Sequence, residues 1–137
     1  MAFDARTVGR LLRESKVLSG HALQGVWLFG SEARGTAHAE SDLDLAILCE
    51  PPLGIERATL MDDLGLALGR DVDVIDLRSA NPTLVWEIVT TGRILEELDE
   101  FAVEHFVRYA RYKAEDDEQR NRMIVLASTG TLGGQSA

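Results

Sequence analysis

The 137-residue sequence predicts an α/β (α+β) fold, in which a small central β-sheet is flanked by helices and followed by a C-terminal helix. Two observations lead to this prediction. Short apolar runs, typical of buried strands, alternate along the chain with apolar residues at helical spacing. In addition, 45% of the residues are hydrophobic, which suffices for one core at this length. We therefore expect one domain over residues 1–127 and a disordered Gly/Ser/Thr-rich tail over 128–137.

The first half of the chain is predicted to begin with a helix that is followed by two strands. Gly20 is expected to end the helix, whose apolar face comprises Val8, Leu11, Leu12, Ser15 and Leu18. The first strand runs from Gln24 to Phe29. The second begins at Asp42 and is ended by Pro51 and Pro52. Between them lies a polar loop, where we expect His38 at the surface and Ser41 in a turn.

The second half continues the alternation of helix and strand. Gly69 is expected to close a helix whose apolar stripe contains Leu60, Met61, Leu64 and Leu68. A third strand covers Val72 to Leu77, and Asn81 and Pro82 then start a helix. Ile94 and Leu95 are expected to form a short extra strand or an extended segment.

A longer helix is predicted from Asp99 onward. We expect its aromatic stripe to pack into the core, with His105 at least half-buried; the stripe comprises Phe101, Ala102, His105, Phe106, Tyr109 and Tyr112. A strongly polar segment follows, and Met123, Ile124 and Leu126 then renew the apolar pattern. This last segment fits either an exposed helix that docks on a partner or a helix that packs back on its own domain.

Charge and composition narrow the function classes. The net charge of −9 argues against a surface that binds a nucleic-acid backbone, because such binding depends on clustered Lys and Arg. Cys49 is the only cysteine, so an internal disulfide is excluded and a small core residue is expected. No apolar run approaches the length of a membrane span, and we expect a cytoplasmic protein without membrane contact.

The most informative motif joins a Gly-Ser turn to a pair of aspartates. Gly30 and Ser31 follow an apolar strand, and Asp42 comes after ten intervening residues. Glycine allows the backbone to approach a phosphate closely, and a hydroxyl and backbone N–H groups at a helix start favour anions. Asp42 and Asp44 share one face of an extended strand and offer the hard oxygen ligands that Mg²⁺ prefers. This combination indicates metal-dependent nucleotidyl transfer.

A third carboxylate is expected from the next strand. Alternation places Asp71 and Asp73 on one face and Asp76 on the other, and mid-strand Asp73 is the preferred candidate. It could ligate a metal and accept the proton of the attacking hydroxyl. Asp71 and Asp76 remain the alternatives.

Two neighbours of Ser31 also bear on this site. Arg34 lies three residues after Ser31, so on a helical turn it would share that face and reach a triphosphate. A salt bridge to a nearby acid is the alternative role for Arg34. Glu32 is expected to face solvent.

These residues resemble the signature of the polymerase-β-type nucleotidyltransferases, and the short chain resembles their minimal members. The stretch ARGTAHAESDLDLAIL is similar to the MntA-type antitoxins that accompany HEPN-domain toxins. The resemblance runs from about Val26 to about Leu95 and implies a polymerase-β-like fold with a mixed sheet. Within the single domain we expect a catalytic module at about 20–95 and a helical segment at about 98–127. The resemblance also implies AMP transfer from ATP, with the help of two Mg²⁺ ions, to a tyrosine of the partner ribonuclease, and release of pyrophosphate.

Two other functions are compatible with the sequence. The chain could neutralise a toxin by binding alone, because a fold does not fix a function. It could also be a small-molecule nucleotidyltransferase of the aminoglycoside type, since an acidic cleft attracts polycations. The shortness of the chain argues against this last reading.

Overall fold

The computed structural model describes residues 4–35 and 42–136, with side chains described to residue 127. His38 and Ser41 therefore lie outside the described residues. In chain order the elements are α1 (Ala5–Glu14), β1 (Ala22–Phe29), α2 (Gly30–Arg34), β2 (Leu43–Glu50), α3 (Glu56–Leu68), β3 (Val72–Asp76), α4 (Pro82–Thr91), β4 (Arg93–Glu97) and α5 (Glu100–Ser136). The predicted α/β (α+β) fold is confirmed.

Within the described residues, the strands form one mixed sheet in the order β3-β2-β1-β4. Strand β1 is antiparallel to both β2 and β4, whereas β2 and β3 are parallel. The end of β1 therefore meets the starts of β2 and β3 at one end of the sheet. In the register, Asp44 lies opposite Phe29 on one side and Asp73 on the other.

The sheet is buried on both faces, which explains why β2 reads as an almost continuous apolar run. One face packs on α1 and α3, with a core that includes Val8, Leu12, Leu28, Leu45, Ile47, Leu60 and Leu64. The other packs on α4 and α5, with a core that includes Trp27, Ala46, Leu48, Val85, Ile88, Val103 and Phe106. Cys49 lies in the core as predicted.

Helix boundaries follow local capping. The Asp4 carboxylate accepts a hydrogen bond from the Arg6 N–H, and the Asn81 side chain accepts one from the Thr83 N–H. Helix α1 ends at Glu14, earlier than predicted, because Ser15 adopts an extended conformation. Gly69 ends α3 with φ +68°, the left-handed conformation that glycine adopts most readily.

Helix α5 packs through a stripe that shares only Phe106 with the predicted one. Among its described side chains, Val103, Phe106 and Ala110 are buried. The expectation that Phe101, Tyr109 and Tyr112 pack in the core is wrong, since these side chains are exposed. The expectation of a half-buried His105 is also wrong, because His105 is exposed and stacks on Phe101. Both stripes have helical spacing, and the smaller Val103 and Ala110 allow the closer approach.

The distal part of α5 extends away from the domain. All side chains from Glu118 to Ala127 are exposed, including the apolar segment Met123–Leu126. For these residues the idea that the helix packs back on its own domain is wrong. The backbone of 128–136 continues the helix, and both the domain limits and the disordered tail remain predictions. No helix among the described residues is long and apolar enough to cross a membrane.

Candidate functional site

The turn after β1 lies directly against a carboxylate of β2. Gly30 begins α2 with φ +71°, a conformation that other residues rarely adopt. A Cβ atom at Gly30 would overlap the Asp44 carboxylate. The turn and the carboxylate are therefore in contact.

Asp44 and Asp73 are neighbours on adjacent parallel strands. They are paired in the register of β2 and β3, and both are partly exposed, whereas Leu43 and Val72 point into the core. Asp42 immediately precedes β2 and is exposed. The Leu43 N–H donates to the carbonyl oxygen of Asp71 at 2.9 Å, which fixes the starts of the two strands side by side.

The pKa of Asp44 shows that several charged side chains lie close to its carboxylate. Burial raises the pKa of Asp44, and the negative charges of Asp73 and Asp42 raise it further. The cations Arg34 and Arg70 act in the opposite direction and lower the pKa. Four charged side chains, from α2 and from the starts of β2 and β3, thus act on Asp44 at this end of the sheet.

The structure separates the three candidates for the third carboxylate. Asp76 is 6% exposed, on the core side of β3. Its two oxygens accept hydrogen bonds from the Arg78 N–H and the Ser79 hydroxyl, so it stabilises the turn after β3. Asp71 lies beside Asp73 along an open groove. The positions favour Asp73, whose catalytic role stays a prediction.

Glu32 does not face solvent, so that expectation is wrong. Its Oε1 lies 2.9 Å from the Arg70 Nη1, and the two side chains are only 16% and 13% exposed. The sequence analysis missed Arg70. The only signal was its place between the helix-ending Gly69 and the aspartates of β3.

Arg34 is exposed, at the end of α2. Its effect on Asp44 places its charge near the carboxylates. Both roles considered for Arg34, a phosphate contact and an ion pair with a neighbouring acid, are compatible with this position. Ser31 is partly exposed in the first turn of the same helix.

A groove of about 880 Å³ opens beside these carboxylates, between α3 and the start of β3. Its lining includes Asp42, Asp62, Asp71 and Asp73 together with Met61 and Leu66. The groove has room for a side chain approaching Asp73 from outside the sheet.

The donor set fits Mg²⁺ when part of the coordination comes from a substrate. Across residues 4–35 and 42–136, no three His, Cys, Asp or Glu side chains form a preformed metal cluster. Mg²⁺ is usually held by one or two carboxylates plus phosphate oxygens and water, not by an all-protein cage. The repulsion acting on Asp44 is what a divalent cation relieves. Asp42, Asp44 and Asp73 are the residues that would hold it.

Comparison with known families defines the class of protein. The chain matches the family model of polymerase β nucleotidyltransferases over residues 15–101. This span includes all six candidate site residues and strands β1 to β4. The chain belongs to the polymerase β nucleotidyltransferase family, and its class is that of a nucleotide-transferring enzyme.

Within this class the chain is similar to toxin-associated enzymes. It is 43% identical over 98 residues to the protein adenylyltransferase MntA of Shewanella oneidensis, a match that covers 68% of this chain and 70% of that protein. A crystal structure of a toxin–antitoxin with AMP-PNP matches with a TM-score of 0.80 and 31% identity, covering 93% of this chain and 99% of the other. The tri-AMPylated Shewanella oneidensis HEPN toxin in complex with MNT antitoxin matches with a TM-score of 0.73 and 28% identity, covering 91% and 95%.

Proposed function

We propose that this chain is a Mg²⁺-dependent protein adenylyltransferase that acts as the antitoxin of a HEPN ribonuclease toxin. The observation that carries the proposal is the contact between the Gly30 turn and Asp44, with Asp73 as the neighbour of Asp44 across the sheet. A phosphate-binding turn is thus next to the carboxylates that nucleotidyl transfer needs.

The site residues divide the work between binding and chemistry. Gly30, Ser31 and Arg34 bind the β- and γ-phosphates of ATP, because a glycine turn at a helix start accepts anions and a guanidinium neutralises them. Asp42, Asp44 and Asp73 hold two Mg²⁺ ions. When bound, the metal offsets the negative charge that develops on the phosphate oxygens.

The transfer itself exchanges a phosphoanhydride bond of ATP for a phosphoester bond to the acceptor. The hydroxyl oxygen of a toxin tyrosine attacks the α-phosphorus of ATP, and the bond from that phosphorus to the β-phosphate breaks. AMP becomes attached to the tyrosine and pyrophosphate leaves. A tyrosine hydroxyl has an ordinary pKa near 10, so a base is needed, and Asp73 accepts the proton.

The choice of ATP as nucleotide and of a HEPN toxin as acceptor is supported by the toxin–antitoxin structures to which this chain is similar. One contains AMP-PNP, an ATP analogue, and another contains an AMPylated HEPN toxin. The tyrosine is supported only by the resemblance found in the sequence. The net charge of −9 suits a protein partner better than nucleic acid, which agrees with a complex of antitoxin and toxin in the cytoplasm.

The first experiment is intact-mass spectrometry of the adjacent-gene HEPN protein after incubation with this chain, ATP and Mg²⁺. We expect the wild type to add one or more AMP units, and peptide mapping to place them on tyrosine. The Asp42→Asn/Asp44→Asn variant should add none. Asp63→Asn, an exposed aspartate of α3 outside the site, is the matched control and should behave as wild type.

The same experiment separates the alternative functions. If no mass is added while the two proteins co-purify, the proposal is overturned in favour of neutralisation by binding. Protection of cells by the stable Asp42→Asn/Asp44→Asn variant would point the same way. Nucleotidylation of an aminoglycoside, with the HEPN protein left unmodified, would instead establish a small-molecule enzyme.

A further inference from the structure

The Glu32–Arg70 ion pair connects two parts of the site that are 38 residues apart in the chain. Glu32 lies in α2, one residue after Ser31. Arg70 follows the glycine that ends α3 and comes three residues before Asp73. The pair is therefore a direct link between the phosphate-binding turn and the strand that supplies the third carboxylate.

Among the ion pairs of the described residues, this link is one in which both side chains are largely buried. Its side chains are 13% and 16% exposed, whereas the Arg108–Glu104 pair on α5 is 78% and 62% exposed. Exposed pairs contribute little, because water and salt screen them. A largely buried pair is costly to break on one side, since the remaining charge loses its partner.

The Arg70 end of the link is held by anchored backbone. Gly69 has φ +68° and its N–H donates to the Gly65 carbonyl oxygen at 2.9 Å, which fixes the direction in which the chain leaves α3. The next residue but one, Asp71, accepts the Leu43 N–H. Arg70 therefore extends from an anchored segment, while α2 is a five-residue helix without a buried side chain.

We propose that Arg70 and Glu32 are positioning residues that hold the α2 turn in register with the carboxylates, so that nucleotide and metal are bound together. Since no side chain of α2 is buried, the ion pair ties this short helix to the segment before β3, and its loss loosens the turn. This inference rests on the proposed function, which supplies the nucleotide.

The test is a double-mutant cycle with Glu32→Gln, Arg70→Gln and the double variant, using Arg108→Gln as the control. The first readout is the dissociation constant of Mg²⁺·AMP-PNP, which needs no acceptor protein. Each single variant should bind about tenfold more weakly, and the double variant should lose no more than the worse single one, because interacting residues are not additive. Arg108→Gln should match wild type.

The second readout separates positioning from general damage. The KM for ATP should rise in both single variants while the KM for the HEPN protein stays constant, and circular dichroism should show an unchanged fold. The charge-reversed Glu32→Arg/Arg70→Glu variant should recover part of the nucleotide affinity. Additive losses, or single variants that bind nucleotide as wild type does, would overturn the inference.

The two hypotheses fail in different ways. Wild-type AMP transfer with no coupling in the cycle would reject the positioning role and leave the enzyme assignment intact. Coupled loss of nucleotide binding without any AMP transfer would reject the enzyme assignment and support the link. A wild type that binds no nucleotide would overturn both.

Discussion

The charge of Asp44 is needed for the proposed binding of Mg²⁺, but the same charge destabilises the folded protein. Its pKa is raised by burial and by the charges of Asp73 and Asp42. The ionised form is therefore disfavoured in the folded state. Ionisation of Asp44 therefore lowers the free energy of unfolding. This loss of stability begins as the pH rises above the ordinary pKa of 3.8 and is complete above the pKa of the folded state.

We expect Asp44→Asn to raise the Tm of the metal-free protein at pH 7 by roughly 2 °C, while AMP transfer is abolished. Asparagine removes the repelling charge and a proposed metal ligand together. Thermal unfolding of both proteins between pH 3.5 and 8 checks this, and the gain should shrink as pH falls. An Asp44→Asn protein less stable than wild type at pH 7 would contradict the electrostatic account.

Gly30 gives a second prediction at the scale of one residue. Gly30→Ala should cost about 1–3 kcal/mol and abolish transfer, because it combines backbone strain with overlap on the Asp44 carboxylate. Gly35 is a matched control, with φ +72° and no atom within 4 Å of an added Cβ. Gly35→Ala should cost only about 1 kcal/mol. Equal effects of the two variants on transfer would rule out a special role for the Gly30 turn.

Strand β3 tests the assignment of the third carboxylate at the scale of an element. Alternation along the strand directs Asp73 to the site and Asp76 to the core. Asp73→Asn should abolish AMP transfer in a folded protein. Asp76→Ala should lower the free energy of unfolding by about 1–3 kcal/mol, since the Arg78 and Ser79 donors lose their acceptor, yet keep activity at temperatures where it is folded.

Assays of initial rate at 20 °C, with fold checked by circular dichroism, compare the two variants. If Asp73→Asn retained activity and a stable Asp76→Ala lost it, Asp76 and not Asp73 would be the third carboxylate of the site.

Elements differ in how far the sequence determines them. The faces of β2 and β3 follow from alternation alone, so the positions of Asp44 and Asp73 were predictable. The Glu32–Arg70 pair was not, because it depends on how the end of α3 approaches α2 in space. The orientation of α5 was also beyond prediction, since its aromatic stripe and its Val103–Phe106–Ala110 stripe have the same spacing. Packing against the sheet and α4 selected the second stripe.

At the scale of the whole molecule, the distal half of α5 stands apart from the core. Because the side chains from Glu118 to Ala127 are exposed, removal of residues 118–137 should change the Tm by less than about 2 °C. Calorimetry of the full chain and the truncated chain measures the difference. A large loss of Tm would mean that this segment stabilises the domain after all.

The position of β3 decides which molecules can reach the chemistry. It is the outermost strand on its side of the described sheet, and the groove beside Asp73 is lined by α3 and by the segment that leads into β3. A reactive centre at the rim of a sheet is accessible to a side chain that projects from a bulky, already folded macromolecule. Such an acceptor does not have to unfold or thread a loop into a tunnel. The architecture therefore suits an enzyme whose second substrate is a folded protein.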